Sequence, residues 1–271
     1  MSITSGNTIT ETANASLTVT GNTSLTASSA GTDYDITLNT ANNDFGTVDI
    51  GSAANVSLRD NNNAIGIQGN VNGILNLTAD GSVGGGNVIT NPGELNVTGA
   101  ASFNVQDGES IDLSNANNTF IVDPTFSAGA GTIQNLSVSD SDALGLQNNL
   151  TVQGNLTANA LQLTFNNTSV NGALSATATT GPIAQVAGSQ ITVNNGTSLV
   201  AGAGGINLAQ VNNDFVGDVS ITTTGGGDAS VRDANGINIA GSNISGNLDV
   251  TANNVTQTNS VPVDNDGIVV A

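Results

Sequence analysis

The chain contains no Cys, His, Trp or Lys, and its only basic side chains are Arg59 and Arg232. Without cysteine there is no disulfide framework. Without cysteine and histidine, catalysis by a thiolate or imidazole nucleophile is excluded. Two arginines stand against 21 acidic residues, a formal charge of −19. Nucleic acid and anionic membrane surfaces bind through Lys and Arg, so neither is an expected partner. No stretch approaches the ~20 apolar residues of a membrane helix, so direct membrane insertion is not expected. Met1 is followed by polar Ser-Ile-Thr-Ser-Gly, which predicts that no signal peptide is present and that the chain is a piece of a mature protein. Glutamate occurs only at Glu11, Glu94 and Glu109, and strong helix formers other than Ala and Leu are scarce, which argues against helix. Aromatics make up 3% of the residues, too few for a core of ordinary globular build.

What remains is β-branched, small and polar. Hydrophobic residues reach 37%, mostly Val, Ile, Leu and Ala, with Thr beside them. Such residues favour pleated strands. Few aromatics and 34 glycines would also suit a disordered chain. Against disorder, the apolar residues alternate with polar ones, as in Leu17-Thr18-Val19-Thr20, Val56-Ser57-Leu58, Leu95-Asn96-Val97-Thr98 and Ile237-Asn238-Ile239. That is the period-2 signature of a half-buried strand.

The chain also repeats itself. Asn42-Asn43-Asp44-Phe45 returns as Asn212-Asn213-Asp214-Phe215, with a near copy at Asn117-Asn118-Thr119-Phe120. Each anchor follows a short strand pattern: Ile36–Leu38, Ile111–Leu113 and Ile206–Leu208. Each is followed by Ser57-Leu58-Arg59-Asp60, Ser137-Val138-Ser139-Asp140 or Ser230-Val231-Arg232-Asp233, and then by a Gly-Asn-Leu-Thr-Ala-like segment. Three long units, around 36–83, 111–163 and 206–258, therefore share one order of motifs. A shorter period lies inside them: apolar centres at Val19, Leu38, Leu58, Leu77 and Val97 are 19 to 20 residues apart.

A period near 20 predicts an all-β solenoid, a parallel β-helix of about 20 residues per coil. One such domain would span residues 1–271, in roughly 13 or 14 coils stacked over roughly 65 Å at the ~4.8 Å strand spacing. One coil cannot bury its apolar face alone, whereas stacked coils share a narrow core of small branched side chains. Asn doublets, among them Asn148-Asn149, Asn166-Asn167, Asn194-Asn195 and Asn253-Asn254, are expected at the corners, with amides stacked in ladders. The glycine clusters at 84–86, 202–205 and 225–227 are expected as loops, because the repeat resumes after each.

The order Leu-x-x-x-x-Asn-Asp-Phe, Leu-x-Asp, Gly-Asn-Leu-x-Val-Thr-Ala and Val255-Thr256-Gln257-Thr258 resembles the repeat regions of filamentous-haemagglutinin-like exoproteins, over roughly residues 13–258. These are large bacterial adhesins exported by two-partner secretion or autotransport. The resemblance implies a right-handed coil, an extracellular or cell-surface location, and a structural or adhesive rod within a fibre. It departs from the family in one respect. The N-terminal secretion domain is not evident, and Asn91-Pro92-Gly93 matches its Asn-Pro motif only superficially.

Candidate sites read mainly as structure. Arg59 and Arg232 occupy equivalent places, beside Asp60 and Asp233, and are expected to pair with an Asp on a neighbouring coil. Asp44 and Asp214 are expected to cap a turn rather than to bind metal; Thr119 replaces them in the second copy. Asn43, Asn118 and Asn213 belong to the same turn, and Phe45, Phe120 and Phe215 are expected to plug the core beside it. The pairs Asp140/Asp142 and Asp264/Asp266 lack the dense oxygen ligands and fixed glycine of a calcium loop. No cofactor is expected, only loosely held divalent cations.

Thr18 and Thr20 form a Thr-x-Thr pair of the ice-binding kind, but the pattern does not recur in register. Asn-x-Ser/Thr sites such as Asn55, Asn76, Asn96 and Asn155 are expected by chance in so Asn- and Thr-rich a chain. A carbohydrate-active enzyme using paired carboxylates is the main alternative, although no acid pair stands out. The expectation is a non-enzymatic solenoid that stacks end to end on itself or on the rest of a longer chain. Host or cell-surface glycans are its expected external partners.

Overall fold

A computed structural model describes residues 1–62, 64–258 and 268–270. Every element in them is a strand or a turn, and the strands stack as a parallel β-solenoid of about 12 turns with about 22 residues per turn. Contacts group the residues into two units, Met1–Ser141 and Asp142–Ala271.

In the first unit, a six-stranded parallel sheet stacks Ile9–Thr10, Ile36–Leu38, Val56–Asp60, Leu75–Ala79, Ala101–Val105 and Thr125–Ser127. A second sheet carries Thr18–Ser29, Asp44–Ala53 and Ile65–Val71. It then divides, because Ile65–Val71 pairs with both Asn87–Thr90 and Leu95–Val97. A short antiparallel pairing, Ser28–Ser29 with Thr32–Asp33, turns the chain at one corner.

In the second unit, seven strands stack from Ala143–Gly145 to Ile268–Val270, and four from Leu150–Val152 to Asp214–Phe215. A third stack includes Leu156–Ala160, Leu174–Ala178, Thr197–Ala201 and Asp218–Thr223, with five register pairs at each of the three steps.

Alternation explains the core. Alternate positions of a strand point inward and meet their register partners one coil away. Leu38, Leu58, Leu77, Phe103 and Phe126 form one such column, and all are buried. Ala158, Ala176, Leu199 and Ile221 form another. Small side chains suffice because the walls of each coil are close together. The six phenylalanines are all buried.

The spacing read from sequence holds only in part. Leu38, Leu58 and Leu77 do stack, but Val19 pairs with Phe45 and Val97 with Val71 and Phe120, in the other sheet. Between register partners of the six-stranded sheet the steps are 27, 20, 19, 26 and 23 residues. The corner loops differ in length, so the coil averages about 22 residues and the coils are fewer than a strict 20-residue period gives.

The long repeat is also out of step with the coil. Ile36–Leu38 lies in the six-stranded sheet, whereas Ile111–Leu113, its counterpart 75 residues later, lies in the other sheet. Only the strand before the anchor changes sheet, since Phe45 and Phe120 both lie in the second sheet.

Candidate functional site

The repeated residues converge on the junction between coils. Asn43, Asn118 and Asn213 are fully buried, each one residue before a strand. The side chain of each reaches back to the preceding coil. The Oδ1 atoms accept from the backbone N–H of Leu17 (3.0 Å), Leu95 (3.0 Å) and Ile191 (2.9 Å). In the second and third copies Nδ2 also donates to the carbonyl of the residue five earlier, Leu113 (3.0 Å) and Leu208 (2.9 Å). The backbone N–H of Asn61, Ser141 or Ala234 on the next coil then donates to the carbonyl of the same Asn.

A polar partner on the preceding coil completes each site. It is Glu11 for Asn43, Asn91 for Asn118 and Gln185 for Asn213. Gln185 and Asn213 exchange two amide bonds, 2.7 and 2.8 Å long. Asn91 of the Asn91-Pro92-Gly93 segment thus has a stacking role: it also donates to the Gly93 carbonyl.

The next coil supplies an acid. Asp60 accepts from Phe45 N–H (2.7 Å), Asp140 from Phe120 N–H (3.5 Å) and Asp233 from Phe215 N–H (2.7 Å). Phe45, Phe120 and Phe215 are buried beside these bonds, as expected for core plugs. Each anchor therefore binds three coils: Asn holds the one before, and Asp from the one after holds the Phe.

Asp44 and Asp214 do not cap this turn. Among the described residues neither carboxylate receives a hydrogen bond, and both side chains are half-buried. Alternation is the reason: Asn43 and Phe45 face inward, so Asp44 between them faces outward. In the second copy Thr119 bonds Ser141 Oγ instead.

Arg59 pairs with Asp80 on the next coil, the one ion pair among the described residues. With an exposed guanidinium the pair contributes about 0–1 kcal/mol. Arg232 lacks this partner, because Asn253 stands two residues beyond its register partner Thr251, where Asp80 stands beyond Thr78. Asp140 is occupied at the anchor, away from any calcium loop. Asp264 and Asp266 lie outside the described residues, of which no group of three or more acids is placed to hold a metal. Thr18 pairs with Asp44, so the Thr-x-Thr pair ends there.

Asn ladders form at several corners. Asn171 donates to Gln153 (3.0 Å) and Asn194 to Asn171 (2.9 Å), while Asn167 donates to Asn148 (2.8 Å). Asn254, by contrast, begins a strand.

One buried acid carried no signal in the sequence because it occurs once. Glu109 is 2% exposed. Its carboxylate accepts from Ser82 Oγ and from the N–H groups of Val83 (3.1 Å), Gly84 (3.2 Å) and Gly85 (3.2 Å). Gly84 and Gly85 have φ of 71° and 88°, which turns successive N–H groups into one concave nest. Glu109→Ala is expected to expose the loop at 82–86 to limited proteolysis while the circular dichroism of the sheet is unchanged. A loop that stays resistant would show that the carboxylate does not hold it.

Two outward columns of the second unit carry runs of neutral polar side chains. Thr151, Ser169 and Thr192 align with Asn149, Asn167 and Gln190 around a shallow recess of about 250 Å³. Thr157, Ser175, Ser198 and Ser220 form another column.

A sequence family described as repeats of unknown function (DUF5649) matches residues 1–50, 53–123, 153–222 and 226–268. The chain belongs to this family. The first three DUF5649 segments end three to seven residues beyond Phe45, Phe120 and Phe215, so the family's repeat boundary falls just after the anchor. No curated protein and no solved structure matches the chain.

Proposed function

We propose that this DUF5649 chain is a structural and adhesive solenoid rod, a segment of a large bacterial surface or secreted fibre of the filamentous-haemagglutinin-like kind. One observation carries this reading: the repeated side chains are spent on joining coil to coil. Asn43, Asn118 and Asn213 each bond the coil before, and Asp60, Asp140 and Asp233 bond the coil behind. A repeat of this kind favours length and stacking over the convergence of reactive groups on one point.

The neutral outward columns fit a hydroxyl-rich partner. The recess over Thr151, Ser169 and Thr192 is lined by hydroxyls and amides, with no charged side chain. Cell-surface glycans match that chemistry, and the acidic surface repels polyanions. Electron microscopy of the purified chain is expected to show elongated particles, some joined end to end. On a glycan array, binding to neutral glycans is expected to survive high salt, and sulfated glycans are expected to be rejected. Compact round particles would refute the rod, and an array without neutral binders would refute the adhesive part.

A further inference from the structure

We propose that the Asp60 contact is a proton-sensitive clasp between coils: protonation in mildly acidic solution tightens it, and ionisation loosens it. The geometry is that of a carboxyl group with nowhere to place a charge. Asp60 is fully buried. Oδ1 accepts the Phe45 N–H, and Oδ2 is buried with no hydrogen-bond partner. The charged groups around it are Asp44 from the strand before, Asp80 from the coil after, and Arg59, whose guanidinium is taken by Asp80. An ionised Asp60 therefore meets two like charges and no free cation. The third copy shares part of the arrangement: Asp233 is 3% exposed, accepts the Phe215 N–H and faces Asp214, but its other oxygen accepts the Asn235 N–H (2.7 Å).

Burial pushes the Asp60 carboxyl up to about 6, with Asp44 and Asp80 adding to the effect and the N–H groups of Phe45 and Asn62 opposing it. Asp233 is raised too, again chiefly by burial. A carboxyl whose folded value lies above its unfolded value stabilises the fold fully below the unfolded value, here 3.8, and loses that contribution as pH rises through about 6. The direction is opposite to that of an ordinary ion-paired carboxylate, which stabilises as pH rises.

The test is the amide protection of Phe45, corrected for the intrinsic exchange rate, at pH 4.5 and pH 7. Protection is expected to fall by up to roughly a hundredfold towards pH 7, the factor set by a shift of about two pH units. Asp60→Asn keeps the acceptor and removes the titration, so its protection is expected to be flat. Asp49→Asn, a half-buried outward acid, controls for the general repulsion of a −19 chain and is expected to keep the wild-type slope. The same slope in Asp60→Asn as in the wild type would overturn the proposal. Titration of the Asp60 carboxyl carbon in the wild-type protein decides independently of any variant. A midpoint near 6 supports the clasp, and one at or below the ordinary carboxylate range overturns it.

Discussion

Replacing Asn118 by leucine is expected to cost about 3–6 kcal/mol and to open the junction between coils locally. The two side chains have similar volume, so the change removes hydrogen bonds without leaving a cavity. Three buried groups lose a partner: the N–H of Leu95, the carbonyl of Leu113 and the amide of Asn91. Each buried polar group left unpaired costs about 1–3 kcal/mol, and relaxation recovers part of that. Coils of a solenoid contact mainly their neighbours, so the damage should stay local. Amide protection at Leu95 and Ile111 should collapse, while protection at Leu199 and Ile221 in the second unit should persist. Asn117, the exposed member of the same doublet, is the control; its leucine variant is expected within about 0.5 kcal/mol of the wild type. Equal losses at the two positions would mean that burial of the Asn amide contributes nothing.

The same residue shows how far the sequence could be read. The Asn-Asn-x-Phe anchor is visible because it recurs, and its burial follows from alternation about Phe45, Phe120 and Phe215. Its partners on the preceding coil are hidden. Glu11, Asn91 and Gln185 are three residue types that all offer an oxygen or an amide to an Asn, so no pattern links them. Asp44 and Asp60 were distinguishable in principle. Both are acids near the anchor, but only Asp60 shares its strand's inward phase, with Val56 and Leu58. Glu109 is a single copy, and its nest exists only once two coils are stacked.

The fold was more legible than the sites because parallel stacking is a property of averages. Leu38, Leu58 and Leu77 announce one column at steps of 20 and 19 residues. The corner loops then break the count, and Leu77 to Phe103 takes 26. Corner length is free to vary since a loop outside the sheet affects neither the register within it nor the core. The placement of Ile111–Leu113, the strand before the second anchor, in a different sheet from Ile36–Leu38 follows from the same freedom. It means that equivalent motifs are kept for what they do between coils, whichever sheet they enter.

That local logic sets the expectation for Phe103→Ala, a loss of about 3–5 kcal/mol. Phe103 is fully buried in the column below Leu77. It stacks on Phe126 with centroids 5.9 Å apart and meets Phe120 edge-on at 6.1 Å. Half of the chain's six phenylalanines thus meet at one place, where they join the six-stranded sheet to the strand that carries the second anchor. Truncation removes the ring's own burial and both ring contacts, and it leaves a cavity that the paired backbones on either side cannot close. The neighbouring anchor should register the change, because Phe120 would lose the contact that keeps its N–H before Asp140. Thermal unfolding of Phe103→Ala, beside Phe103→Leu as a smaller truncation, reads the effect. A phenylalanine acting only as filler would give losses in proportion to the volume removed, with unchanged amide protection at Phe120. A phenylalanine that braces the anchor would give lost protection at Phe120 in both variants.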